Sequence, residues 1–155
     1  MLTDVPHNRH DTVLPLPLEV RAEAIAVDAA CSGNPGPMEY RGICLQTGRL
    51  LFHYGPVHGT NNIGEFLAIV HAMALMQRQG IRRTIYSDSR TAIIWAQKGK
   101  AKTTLAATSQ TAPLLAMLHR AEGWLATHRT FAASIPLVKW DTDRWGEIPA
   151  DFGRK

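Results

Sequence analysis

The sequence predicts an α/β fold: a five-stranded mixed sheet, three antiparallel strands then two parallel ones, with helices on both faces. Three observations carry this. Three short apolar segments, residues 22–28 (AEAIAVD), 40–45 (YRGICL) and 50–57 (LLFHYGPV), succeed one another across gaps holding Gly and Pro, the pattern of an antiparallel meander. From residue 62 the apolar period changes to three and four, with Phe66, Ile69, Val70, Met73 and Met76 on one stripe, as on an amphipathic helix. Two later strand-like segments, 82–87 (RRTIYS) and 137–140 (LVKW), are each preceded by helical stretches, and strands joined through helices pair in parallel.

The elements follow in order. Residues 1–19 include Pro6, Pro15 and Pro17 and show neither period, so they read as a flexible arm before a single domain at 20–155. The GNPGP cluster at 33–37 is a turn, and QTGR at 46–49 is a hairpin-sized gap containing Gly48. The first helix runs over 62–79, with Asn61 or Asn62 as its cap and Gly80 closing it. The strand at 82–87 feeds a second helix at 90–98 that stops at Gly99. A linker at 100–108 leads to a third helix at 111–128, with Pro113 in its first turn. The chain ends in a loop and one short helical piece around 148–152.

Composition narrows the function classes. The chain has 155 residues, 45% hydrophobic and 19% charged, as expected of one globular domain. No apolar run approaches the roughly 18 residues of a membrane span, and residues 1–20 lack the basic-then-apolar pattern of a secretory leader. Neither a membrane partner nor a secreted destination is expected. Cys31 and Cys44 make no disulfide framework and no zinc site, which suits a reduced cytoplasm. The GNPGP turn is not a dinucleotide fingerprint, and no phosphate-binding P-loop occurs, so no organic cofactor is expected. The net charge of +4 favours an anionic partner, nucleic acid first. A monomer is expected.

The carboxylates are few, 13 in all, and four are distinctively placed. Asp28 follows the apolar run AIAV and Asp88 follows TIYS, each at the end of a strand. Glu65 begins the first helix on the stripe of Ala68, Ile69 and Ala72, which faces the sheet. Asp151 lies in the last helical turn. In sheets of this kind sites form at the carboxyl ends of neighbouring strands. Singly, each acid has a plainer role: Asp88 as a cap of the next helix, Glu65 as a partner of the helix dipole. Together they would repel unless a cation joined them, and hard oxygen ligands suit magnesium. The pattern points to a metal-dependent phosphoryl-transfer site, in which two ions about 4 Å apart serve phosphodiester hydrolysis.

Four motifs in order resemble ribonuclease H of type 1. They are Asp28-Ala-Ala-Cys-Ser-Gly-Asn-Pro-Gly-Pro37, Thr60-Asn61-Asn62 with Glu65, Tyr86-Ser87-Asp88-Ser89, and the tail Trp145-Gly-Glu-Ile-Pro-Ala-Asp-Phe-Gly-Arg-Lys155. The last is similar to the ending of a bacterial subgroup, and the likeness covers residue 22 to the end. The resemblance implies the RNase H-like fold and hydrolysis of the RNA strand of RNA–DNA hybrids, with 5′-phosphate and 3′-hydroxyl ends. It implies that Asp28, Glu65, Asp88 and Asp151 hold two Mg²⁺ ions, with Mn²⁺ as a substitute. It further implies that Cys31, Asn34, Asn61 and Glu65 line the minor groove and read 2′-hydroxyls, the group that separates RNA from DNA. Thr60, Asn62, Thr103 and Thr142 match positions that contact backbone phosphates, for which neutral hydroxyls and amides are ordinary donors.

Two departures from the family pattern stand out. Many members carry a histidine in the loop before the last Asp; here no His follows His128. Glu147, four residues before Asp151 and on the same side of a helical turn, is expected to replace it in catalysis. The basic helix that some members use to grip the hybrid is missing, since residues 96–110 hold only Lys98, Lys100 and Lys102. Trp95, Trp124 and Trp140 are expected in the core, and Trp145 beside the site. Competing functions are a non-catalytic hybrid-binding or RNA-binding module and a related nuclease of the same fold. Four intact acids disfavour the first, and Asp28-Ala-Ala30 in place of Asp-x-Glu disfavours the exonucleases.

Overall fold

In the computed structural model, which describes residues 16–152, β1 (Ile25–Cys31) is the centre of the sheet. Its side chains alternate between the faces: Ile25, Val27 and Ala29 enter one apolar core, and Ala26, with Ala24 just before the strand, the other. β2 (Gly36–Cys44) and β3 (Leu50–Gly59) complete the antiparallel meander. β4 (Ile85–Ser87) pairs in parallel with β1, and β5 (Leu137–Lys139) in parallel with β4. The order β3-β2-β1-β4-β5 is the expected five-stranded mixed sheet, three strands antiparallel and the last two parallel.

The faces differ in thickness. α1 (Asn61–Gln79), α2 (Arg90–Lys98) and α3 (Ala112–Thr127) cover the first, where Phe66, Ile69, Met73, Ile93, Leu114 and Leu118 share the larger core with β1. After the unanticipated α4 (Arg129–Ala133), the chain returns through β5 to the second face. There Val20, Ile43, Tyr86, Trp140, Ile148 and Ala150 form a smaller core with Ala24 and Ala26. Irregular chain closes it, with α5 (Thr142–Trp145) the one helical piece there. Leu16 packs on this core and Glu19 pairs with Arg144; residues 1–15 of the expected arm, and 153–155 of the tail, lie outside the described residues. No helix among the described residues is long and apolar enough to cross a membrane.

Several local expectations need correction. Thr60, not Asn61 or Asn62, caps α1: its backbone is extended and its hydroxyl accepts from the Ile63 amide at 3.4 Å. Both asparagines fall inside the first turn. Gly80 and Gly99 do close their helices in the left-handed conformation, at φ +69° and +76°. The helical piece expected at 148–152 is a single turn closed by Asp151 N–H to the Ile148 carbonyl at 2.8 Å. Pro149 offers no N–H within it, and one turn is too short to propagate. The helix forms earlier, at α5, where the Asp141 carboxylate accepts from the Arg144 amide. Trp140 is fully buried as expected, whereas Trp95 and Trp124 are partly buried against the larger core. Trp145 turns onto the sheet, against Trp140 and Tyr86 at 5.0 and 6.1 Å between rings.

One polar pair is built into the helical face. The Tyr40 hydroxyl and His71 Nδ1 are 3.0 Å apart, and the imidazole stacks on Phe52 at 4.1 Å. Burial, with Tyr54 adding to it, pushes the Tyr40 phenol up to about 12. Burial first, then the Arg78 charge, holds His71 below its ordinary 6.5. Near neutrality the phenol therefore donates and a neutral imidazole accepts. Because the unfolded chain takes up this proton first, stability falls as pH drops from about 6.5 through the folded value of His71. Urea melts at successive pH values should show His71→Phe, which keeps the stack, losing less stability on acidification than the parent. The difference in slope is at most about 1.4 kcal/mol per pH unit, the limit for one proton; parallel slopes would refute it.

Candidate active site and adjoining groove

Register alone brings two acids together. β1 and β4 pair Ile25 with Ile85 and Ala26 with Tyr86, so two residues further on Asp28 lies level with Asp88. Asp28 does not terminate its strand as expected; it is the fourth of seven residues in β1 and is fully buried. β4 is the shorter strand. It ends at Ser87, and the chain turns into α2 under a cap from Ser89, whose hydroxyl accepts from the Ala92 amide at 3.1 Å. The capping role open to Asp88 thus belongs to its neighbour.

Glu65 arrives on α1 by close packing. A side chain at Gly64 would place its Cβ 2.6 Å from the Met38 sulfur and 3.0 Å from the Ala29 Cβ, so glycine lets the helix lie tightly on β1 and β2. Glu65 is 1% exposed. Carboxylate oxygens of Asp28, Glu65 and Asp88 lie within 4.8 Å of one another. Full charges at this separation repel by roughly 3 kcal/mol per pair even at an effective dielectric near 20. Three hard oxygen donors, two of them shut away from water, are the donor set that suits a small divalent cation, and the residues present fit one.

The fourth expected acid stands differently. Asp151 is not among the three clustered carboxylates, although its backbone is close: the amide of Phe152 donates to Asp28 Oδ2 at 3.3 Å. The segment is held by Arg41, opposite Asp28 in the β1–β2 register, whose Nε donates to the Ala150 carbonyl at 2.8 Å and Nη2 to the Asp151 carbonyl at 2.6 Å. Glu147 is exposed, and without a helix over 148–152 the expected common helical side with Asp151 does not exist.

A groove of about 510 Å³ is lined by Asn34, Thr60, Asn62 and Thr103, together with Trp95 and Lys102. Asn34 Oδ1 accepts from the Asn61 amide at 3.3 Å, which joins the first turn cluster to the start of α1. Cys31 is tied to the same junction, its thiol 3.3 Å from the Gly59 carbonyl. Of the eight expected substrate contacts, six thus gather at or beside one groove, and Glu65 belongs to the acidic cluster. Thr142 does not line it; it opens α5. Sequence reasoning missed the groove edge of Trp95, which also meets Phe66 edge-on at 6.2 Å, because a helix-face Trp reads as core. It missed Arg41 as well, although the one charge in the apolar segment 40–45 was there to notice.

An α/β domain with clustered acids beside β1 and β4 is the class that fold and site define. A family model described as RNase H matches residues 21–134, and the chain belongs to the RNase H family. A Ribonuclease H of Chromobacterium violaceum is 28% identical over 131 residues, covering 84% of this chain and 73% of that protein. A Ribonuclease H of Neorickettsia sennetsu is 36% identical over 67 residues, and one of Aromatoleum aromaticum 39% over 77. Those two matches span less than half of the relatives' length, 44% and 46%. Among solved structures, LC11-RNase H1, isolated from compost, superposes with a TM-score of 0.52 at 20% identity, over 78% of this chain and 85% of that one. The same protein in complex with RNA/DNA hybrid gives 0.50 at 18% identity, over 78% and 86%. These structural likenesses bear on the fold.

If the acidic triad holds a divalent cation, Mg²⁺ stabilises the folded parent by mass action, by about 2.7 kcal/mol at a hundredfold excess over the dissociation constant. Asp88→Asn removes one of three repelling charges. In EDTA it is expected to melt no lower than the parent, and in millimolar MgCl₂ to gain much less. An equal Mg²⁺-dependent rise in melting temperature would place the ion elsewhere.

Proposed function

We propose that this chain is a type 1 ribonuclease H, an endonuclease that hydrolyses the RNA strand of RNA–DNA hybrids and leaves 5′-phosphate and 3′-hydroxyl ends. The observation that carries the reading is the cluster of Asp28, Glu65 and Asp88, with oxygens within 4.8 Å, in a chain of the RNase H family. The groove of Asn34, Thr60, Asn62 and Thr103 supports it, as does the hybrid bound by LC11-RNase H1. Both cysteines are free thiols, in keeping with action in a reducing cytoplasm, and we take the acting species to be a monomer.

The residues divide the work. Asp28, Glu65 and Asp88 would hold the cations, with Asp151, whose backbone is held beside the triad, completing the set. Two Mg²⁺ ions, or Mn²⁺ in their place, supply activation of water and stabilisation of the leaving oxygen. Asn34, Asn61 and Cys31 stand at the junction of the first turn cluster and α1, placed to read 2′-hydroxyls, which both donate and accept. Thr60, Asn62 and Thr103 fix the register of the backbone through neutral phosphate contacts, and Thr142 is assigned to a separate phosphate. In the reaction water attacks phosphorus in line, the bond from phosphorus to the 3′-oxygen breaks, and that oxygen takes up a proton. Glu147, exposed in the loop before Asp151, is proposed to assist product departure in place of the missing histidine.

An end-labelled RNA–DNA hybrid, compared with matched RNA–RNA and DNA–DNA duplexes in Mg²⁺ and in Mn²⁺, tests the reading. Only the RNA strand of the hybrid should be cut, and Asp88→Asn should cut at least about a hundredfold more slowly, as expected for loss of a metal ligand or its positioning. Hybrid bound but uncut in both metals would instead indicate a binding module. For Glu147, multiple-turnover rates with excess hybrid should fall severalfold in Glu147→Ala while the single-turnover rate holds; an unchanged steady-state rate would remove it from the mechanism.

A further inference from the structure

Arg41 occupies an unusual place. It lies on β2 directly across from Asp28, and cross-strand partners share a face of the sheet. Its guanidinium reaches two consecutive carbonyls, of Ala150 at 2.8 Å and Asp151 at 2.6 Å. It also lies 4.5 Å from the centre of the Phe152 ring. The next residue in the row, His53 on β3, pairs with Arg41 in register, bonds Glu39 at 2.7 Å, and sets its ring 6.2 Å from that of Phe152. One cation therefore fixes three successive residues, and the last turns its amide onto Asp28 Oδ2 at 3.3 Å.

We infer that Arg41 is a positioning residue of the metal site, clamping residues 150–152 so that the Phe152 amide orients Asp28 and the backbone of Asp151 is held beside the triad. The inference rests on the proposed ribonuclease H reading. The chemistry favours arginine specifically. A planar fork satisfies two carbonyls at once and still stacks on an aromatic ring, which an ammonium cannot do. The clamp also settles why a segment without helical structure can present a ligand: Asp151 has a single turn behind it, so its position must be set from the side. An amide donated to Asp28 favours the charged carboxylate and selects which oxygen remains for a cation.

Two variants separate positioning from mere bracing. Arg41→Lys keeps the charge and loses the fork, and Phe152→Pro removes the amide donor and the ring while leaving the partners of the fork, the Ala150 and Asp151 carbonyls. For each, Mn²⁺ affinity is measured by calorimetry without nucleic acid, with kcat, KM and the Mg²⁺ half-saturation on hybrid, and the melting temperature. The expectation is that metal affinity weakens about tenfold in both, the usual effect of losing a group that orients a ligand. The kcat at fixed Mg²⁺ should fall in step and recover as Mg²⁺ is raised, with KM for hybrid changed by less than about twofold. Unchanged metal affinity and Mg²⁺ half-saturation in either folded variant would overturn the inference, even if melting temperature falls. Should Arg41→Lys fail to fold, Phe152→Pro decides. A parent that binds metal but leaves hybrid uncut defeats the functional reading, while the calorimetry still tests the clamp; a parent that does neither defeats both.

Discussion

Asp28 and Glu65 are 0% and 1% exposed, and their carboxylate oxygens lie within 4.8 Å of each other and of Asp88. Charges so placed raise the energy of the folded chain whenever no cation joins them, so the groups that carry them need rigid support. The fold meets the demand with its least deformable parts. Asp28 sits mid-strand in the central β1, paired with Arg41 of β2 and two residues beyond the last β1–β4 pair. Glu65 is carried by a 19-residue helix whose contact with β1 and β2 has no room for a Cβ at Gly64. Asp88 follows a strand that is buried throughout. Repulsion is thus tolerated because the elements that carry the charges are held by apolar packing far larger in extent than the site.

That packing is unevenly shared. The helical face contains most of the buried side chains, while the second face has a small core closed by irregular chain. The asymmetry suits the site, because Asp28 alternates with Val27 and Ala29 and so points to the thinner face. Only a short segment then needs to be fixed over it. Ile148 and Ala150 anchor that segment by burial, at 1% and 0% exposure, and Arg41 supplies polar ties that a segment without a helical ladder lacks. The price of an irregular cover is met by one well-placed cation.

Most of the scaffold was legible in the sequence because it rests on periodicity. Strands β1 to β3, α1, α2 and the parallel pair β4 and β5 each carry a clear apolar repeat or sit between strong turn residues. Helix ends closed by Gly80 and Gly99 were legible for the same reason, since glycine takes the left-handed conformation cheaply. What failed was short. Thr60 rather than Asn61 caps α1, a choice between adjacent polar residues that composition cannot make. The helical piece expected at 148–152 is held to one turn, with Pro149 inside it, and α5 is hidden because four residues leave no period. The three clustered acids were readable because each follows an apolar run or opens a helix, although Asp28 lies mid-strand rather than at its strand's end. The arrangement of the fourth depends on Arg41, more than a hundred residues distant in sequence, and no local pattern encodes such a contact.

The groove makes a complementary point about charge. The chain carries a net +4, yet among the described residues Lys102 is the one lysine or arginine that lines the groove, beside threonines, asparagines and the edge of Trp95. Neutral donors contribute little long-range attraction to a polyanion, so binding through them depends on fit and releases few counterions. On the proposed reading, in which the enzyme accepts any hybrid sequence but rejects pure RNA and pure DNA duplexes, this is the more discriminating choice. Hydroxyls and amides report whether a 2′-oxygen is present and whether the backbone has the right spacing, whereas a dense field of lysines would hold every duplex alike. Selectivity on this view is built at the junction of the first turn cluster and α1, where the Asn34–Asn61 bond joins two recognition elements, and Glu65 lies one helical turn beyond Asn61. Under the proposed function, recognition and chemistry are therefore coupled through α1 itself.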